Sequence, residues 1–148
     1  MHIAIGSDHA GFKMKQCIKG LLSEMGHIYE DFGCYDSGSV DYPDIAFAVA
    51  DAVAQGRFPQ SILICGTGIG MSMAANKVPG IRAAICHNTF NARRSREHTD
   101  ANVLCLGAWV MGEGVMREVV ATYLGAEFVG GRHARRLEKL HAREQRNT

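Results

Sequence analysis

The sequence predicts an α/β fold: one three-layer α/β/α domain built on a five-stranded parallel sheet. Three observations predict it. Short apolar runs such as "HIAIG", "SILIC" and "NVLCLG" alternate with stretches whose apolar residues recur at helical spacing. Runs that are apolar at successive positions must be buried on both faces, which for a strand means a parallel sheet with helices above and below. Finally, 148 residues with 47% hydrophobic and 21% charged side chains suffice for one compact core.

Taken in order, residues 2–6 read as the first strand. The helix over 12–25 has Met14, Ile18, Leu21, Leu22 and Met25 on one stripe and stops at Gly26. "IYEDF" at 28–32 is a weaker second strand. After the loop "GCYDSGSV", Asp41 or Asp44 can cap a helix that carries Pro43 in its first turn and runs to Gly56. Then follow "SILIC" (61–65), a short helix over 69–77, "IRAAIC" (81–86), a helix over 88–97 and "NVLCLG" (102–107). A helix over 113–124 ends at Gly125, and the basic stretch 133–145 forms a C-terminal helical tail whose last residues, "REQRNT", are expected to fray. The whole chain, 1–148, reads as a single domain.

The formal net charge is +1, from 16 basic and 15 acidic residues, so no global field favours nucleic acid or an anionic membrane. No apolar run approaches the roughly 20 residues that span a bilayer. The N-terminus "MHIAIGSDHAG" enters a strand without a signal-peptide pattern, which predicts a soluble, cytoplasmic protein. Five widely spaced cysteines, without a CxxC pair or zinc-ligand spacing, predict free thiols in a reduced compartment and no metal site.

In an open parallel sheet the ligand sits beyond the carboxyl ends of the strands, where strand order reverses. A flavodoxin-like order would make the first and third strands neighbours there, so that Asp8, His9, Cys65 and Thr67 converge. The loop "CGTGIG" is neither a dinucleotide fingerprint, because Gly70 comes one position early, nor a nucleotide P-loop, because "GMSM" replaces the Gly-Lys-Ser/Thr ending. Two readings of it remain: a tight strand-to-helix turn without ligand, or a nest of N–H groups that holds an oxyanion or phosphate.

Each candidate residue carries a plain alternative. Cys65 is either a buried small hydrophobe or a thiol whose thiolate the helix start stabilises. Asp8 is either a helix cap or part of the crevice, and His9 is less easily explained by capping. Arg93, Arg94, Arg96 and His98 read as a solvated basic helix end. Arg132 and Arg136, four residues apart after Gly130 and Gly131, either fork onto a phosphate or belong to an amphipathic helix that packs through Leu137 and Leu140. Nucleic acid fits poorly, since no aromatic residues are interleaved with these basic groups.

Together, "GSDHAGF", "DYPD" at 41–44, "ICGTGIGMSMAANKVPGIRAAIC" at 64–86, "SREHTDANVLCLG" at 95–107 and "GGRHARR" at 130–136 resemble the type B ribose-5-phosphate isomerases. These belong to a larger ribose/galactose isomerase family that includes galactose-6-phosphate isomerase subunits, and the similarity covers essentially the whole chain. The resemblance implies a Rossmann-like fold, a homodimer or tetramer with shared active sites, no metal or organic cofactor, and the interconversion of ribose 5-phosphate and ribulose 5-phosphate in the pentose phosphate pathway.

Carried over by position, Cys65 would be the base that works through a cis-enediolate, and the loop Gly66, Thr67, Gly68, Ile69 and Gly70 would hold the oxyanion. His98, helped by Asp8, would open the furanose ring; His9, Arg132 and Arg136 would hold the phosphate; Thr99 would contact substrate. Two positions depart from the ribose-type pattern: Trp109 stands where Arg is usual, and Thr99 where Asn is frequent. They leave a hexose 6-phosphate, such as allose 6-phosphate, as the alternative substrate. A non-catalytic sugar-phosphate binder is the third possibility.

Overall fold

The computed structural model describes residues 1–147. Its elements alternate as expected: β1 (His2–Ser7), α1 (Phe12–Glu24), β2 (Ile28–Asp31), α2 (Tyr42–Ala54), β3 (Gln60–Cys65), α3 (Ile69–Ala75), β4 (Ala83–Ile85), α4 (Thr89–Thr99), β5 (Val103–Gly107), α5 (Glu113–Gly125) and α6 (Arg132–Arg146). The five strands form one parallel sheet in the order β2-β1-β3-β5-β4.

Strand periodicity explains the two cores. Ile3, Ile5, Ile62, Ile64, Leu104 and Leu106 point to one face, where α1, α4 and α5 cover them. Their neighbours Ala4, Leu63, Cys65, Val103 and Cys105 point to the other face, beneath α2 and α3. Both faces are therefore dry, as the continuous apolar runs require.

The order at one edge corrects the flavodoxin-like expectation. β5 lies between β3 and β4, not outside β4. The burial of each strand gives the reason: every residue of β5 is buried, whereas the three residues of β4 are only half-buried and suit an edge. The neighbours that matter for the crevice, β1 and β3, are adjacent as expected. The C-terminal tail also differs from expectation, since α6 stays helical through Arg146; Thr148 of the expected frayed segment lies outside the described residues.

Candidate active site

β1 leads outward to β2 on one side and β3 leads to β5 and β4 on the other, so the strand order reverses between β1 and β3. Two contacts close that switch point. The N–H of Asp8, just past β1, donates to the Ile64 carbonyl at 3.2 Å. A Cβ on Gly11 would lie 2.6 Å from the same oxygen, so only glycine lets the approach to α1 pack this closely on the end of β3. Asp8 is thereby held beside the strand that ends in Cys65.

The loop after β3 uses its three glycines for different purposes. Gly68 has φ of 81°, a left-handed conformation that turns the chain into α3 and points its N–H back at Cys65 Sγ, 3.1 Å away. Gly66 and Gly70 provide space. A Cβ on Gly66 would lie 2.5 Å from Trp109 Cε3, and one on Gly70 would lie 2.6 Å from Tyr42 Cζ. Two aromatic side chains thus flank the loop. Behind it, a Cβ on Gly107 would meet the Thr67 backbone at 2.8 Å, and the N–H groups of Ala108 and Trp109 donate to the carbonyls of Cys65 and Gly66 at 2.8 and 2.9 Å.

Cys65 is buried, and its Sγ accepts the Gly68 N–H. Thr67 is half-buried, and its Oγ1 accepts the Ile69 N–H at 3.2 Å. The first helical bond runs from Ser72 N–H to the Gly68 carbonyl, so the Gly70 and Met71 N–H groups precede the hydrogen-bonded turn. The loop can therefore offer backbone donors to a developing oxyanion beside a sulfur that can take a proton.

The cap reading of Asp8 is corrected: Gly11 stands at the N-cap of α1, which has no side-chain cap bond, and Asp8 lies three residues ahead of it. Its Oδ1 accepts the Gly11 N–H at 3.1 Å ahead of α1, and the carboxyl group is buried at the crevice. His9 is exposed and its Nδ1 accepts the Val40 N–H at 3.2 Å, which ties the loop after β2 to the same rim. Beneath that loop, Lys15 is fully buried. Its ammonium pairs with Asp31 at 2.7 Å and donates to the Cys34 carbonyl.

The remaining predicted residues lie elsewhere in the chain. A crossover helix between parallel strands runs antiparallel to them, so α4 begins at the carboxyl edge of the sheet and ends at the opposite edge. Arg82 fixes that end, donating to the Thr99 and Asp100 carbonyls at 3.2 and 2.9 Å beside the start of β4. Eleven helical residues span about 16 Å. His98 and Thr99 are thus one helix length from the Cys65 edge, and the Thr99 hydroxyl donates to the Ser95 carbonyl at 2.6 Å. Arg132 and Arg136 are exposed in the first turns of α6, which packs beside α4, and neither forms an ion pair among the described residues. The chain therefore holds the predicted residues in two separate groups: Asp8, His9, Cys65 and the glycine loop at the carboxyl edge, and His98, Thr99, Arg132 and Arg136 near the end of α4 and the start of α6.

Burial separates the cysteines further. It raises the pKa of Cys86 and Cys105, so those thiols stay protonated within their strands. Burial also lowers the pKa of His87, whose Nε2 accepts the Gly107 N–H at 3.2 Å, an acceptor role that requires the neutral ring. Among the described residues no group of three or more His, Cys, Asp or Glu side chains is arranged to hold a metal ion, and no helix is long and apolar enough to cross a membrane.

Comparison with known proteins meets this geometry. The family described as Ribose/Galactose Isomerase matches residues 3–140. The chain belongs to the ribose/galactose isomerase family. Ribose-5-phosphate isomerase B of Escherichia coli is 47% identical over 97% of each chain. The D-erythrulose-4-phosphate isomerase of Pectobacterium atrosepticum is 43% identical, over 95% of this chain and 93% of its own. The structure of ribose-5-phosphate isomerase B from Clostridium thermocellum superposes with a TM-score of 0.98 at 51% identity, covering 100% of both chains. The protein is accordingly an isomerase with the Rossmann-like fold that the resemblance implied.

For this isomerase, sequence reasoning missed several residues of the site's frame. Tyr42 against Gly70, Lys15 under the 33–36 turn, and His87 on Gly107 all act across elements distant in sequence, and Trp109, named from the sequence only as a departure from the ribose-type pattern, packs against Gly66. His133, within the stretch "GGRHARR", stacks on His98 across two helices. The paired glycines at 66 and 70 were the available signal that something large approaches the backbone there.

Proposed function

We propose that the protein interconverts D-ribose 5-phosphate and D-ribulose 5-phosphate, as a step of the pentose phosphate pathway in the cytoplasm. The observation that carries this reading is the Gly68 N–H on Cys65 Sγ at the neck of the nest, in a chain of the ribose/galactose isomerase family. With the aldehyde open, the Cys65 thiolate takes the proton from carbon 2 and charge develops on the carbonyl oxygen at carbon 1. N–H groups of residues 66–70, with Thr67, hold the cis-enediolate. The hydroxyl proton on the carbon-2 oxygen moves to the carbon-1 oxygen, and the thiol returns a proton to carbon 1 as the carbonyl forms at carbon 2, so no net proton or electron is gained or lost.

Opening the furanose requires loss of the anomeric hydroxyl proton and protonation of the ring oxygen, which we assign to His98 with help from Asp8. His9, Arg132 and Arg136 hold the phosphate, the two guanidiniums through charge-assisted bonds. Because the Cys65 group and the His98 group are a helix length apart in one chain, the complete site needs His98, Thr99, Arg132 and Arg136 from a second copy of the chain. A symmetric dimer, alone or within a tetramer, would build two such sites.

Incorporation of deuterium at carbon 2 of ribose 5-phosphate in heavy water tests this. The native chain should exchange and Cys65→Ala should lose about 10²- to 10⁴-fold. No exchange by the native chain would leave a sugar-phosphate binder, and native-level exchange by the variant would remove the thiol from the chemistry.

A second reading keeps the chemistry and changes the sugar to a hexose 6-phosphate. It draws on Trp109, 76% exposed against the thiol loop. Higher kcat/KM for allose 6-phosphate than for ribose 5-phosphate would favour it.

A further inference from the structure

The imidazole rings of His98 and His133 lie face to face, with centroids 4.0 Å apart and planes 12° from parallel. They come from different helices, the end of α4 and the second residue of α6. His133 is 7% exposed, whereas Arg132 and Arg136 on the same helix are exposed. Leu137, one turn on from His133, is also 7% exposed, so these two side chains are the inward stripe by which α6 is seated. The chain leading into α6 is tied to the same place, since the Val129 N–H donates to the Glu97 carbonyl at 3.1 Å. Packing thus fixes the His133 ring, and the His133 ring covers one face of His98.

The charge state suits such a platform. Burial, and then the positive charges of His98, Arg132 and Arg136, hold the His133 pKa below the ordinary histidine value. Two imidazolium rings in a stack would repel, and a neutral His133 ring avoids that repulsion.

We propose that His133 is a positioning residue that holds the His98 imidazole, through the stack between α4 and α6, in the orientation that opens the furanose ring. This rests on the ring-opening role given to His98 above. Since Arg132 and Arg136 flank His133 on α6, the helix that would seat the phosphate also sets the plane of the ring-opening imidazole.

Two rates separate this role from a merely structural one. Ribulose 5-phosphate is open-chain, because its 5-hydroxyl is esterified, so deuterium exchange at its carbon 1 needs Cys65 and the nest but no ring opening. Conversion of ribose 5-phosphate needs both. His133→Ala should keep exchange within about twofold while conversion falls roughly 10- to 100-fold, the scale of a displaced catalytic group. His133→Phe keeps the flat ring and should retain conversion within about threefold of native, whereas His133→Gln, which has no ring, should behave like His133→Ala.

Equal loss of both rates in the alanine and glutamine variants, or a phenylalanine variant no better than glutamine, would overturn the proposal. Should His133→Ala fail to fold, the phenylalanine and glutamine pair still decides. His98→Ala is measured alongside. If it fails to separate the two rates, the ring-opening role of His98 is wrong; if it separates them and the His133 variants do not, only the role of His133 is wrong.

Discussion

The indole of Trp109 lies against Gly66, the residue that follows Cys65, so closely that a Cβ at position 66 would sit 2.5 to 2.7 Å from three carbons of its ring. The backbone repeats the contact, with the Trp109 N–H donating to the Gly66 carbonyl at 2.9 Å. The turn after β5 and the turn after β3 are therefore one unit, and the thiol loop keeps its shape because the aromatic wall stands behind it.

Gly66→Ala should destabilise the protein by about 1–3 kcal/mol, the usual cost of forcing extra carbon into a packed site. Trp109→Ala should relieve that clash, so the double variant should be more stable than the sum of the two single changes predicts. Urea unfolding of the four proteins measures the coupling, and strict additivity would contradict the contact.

Gly68 is different in kind, because its φ of 81° disfavours any side chain. Gly68→Ala should cost about 1–2 kcal/mol in backbone strain and turn the N–H away from Cys65 Sγ. The expected result is a fall in kcat with KM for ribose 5-phosphate changed less than twofold, within the scatter of uniform binding. A rise in KM alone would assign the loop to ground-state binding.

The buried Lys15 makes acid stability testable. Burial alone would raise the Asp31 pKa, but hydrogen bonds from Lys15, Gly33 and Lys19 and the charge of Lys15 outweigh it and hold the pKa below the usual value. A depressed carboxylate contributes stability above the unfolded pKa, near 4, and loses it as pH falls through the folded value. Urea midpoints should therefore drop below about pH 4 in the native protein and drop less in Lys15→Met. At pH 7 that variant should be less stable by about 3 kcal/mol, because Asp31 is left half-paired with Lys19 in a partly buried place.

Much of the fold was legible because continuous apolar strands such as "SILIC" and "NVLCLG" permit few arrangements other than a parallel sheet. The order of β4 and β5 was not, because periodicity says which residues are buried and nothing about which strand stands at the edge. In the site, Cys65, Asp8 and the glycine loop were legible because each lies at or just past the carboxyl end of a strand. His98, Arg132 and Arg136 were reachable only through motif resemblance, since within one chain they lie away from the crevice they would serve. The second purpose of the glycines, room for Trp109 and Tyr42, depends on contacts across 43 and 28 residues of chain that no local pattern encodes.

The central claim is that Cys65 of one chain works with His98 of another, and mixing two inactive variants tests it most directly. Cys65→Ala and His98→Ala are purified separately, mixed, unfolded and refolded together, and assayed for conversion of ribose 5-phosphate. In a mixed dimer one site would combine both substitutions and the other would be intact, so random reassortment should restore roughly a quarter of native activity. A mixture no more active than its separate components would contradict the shared site.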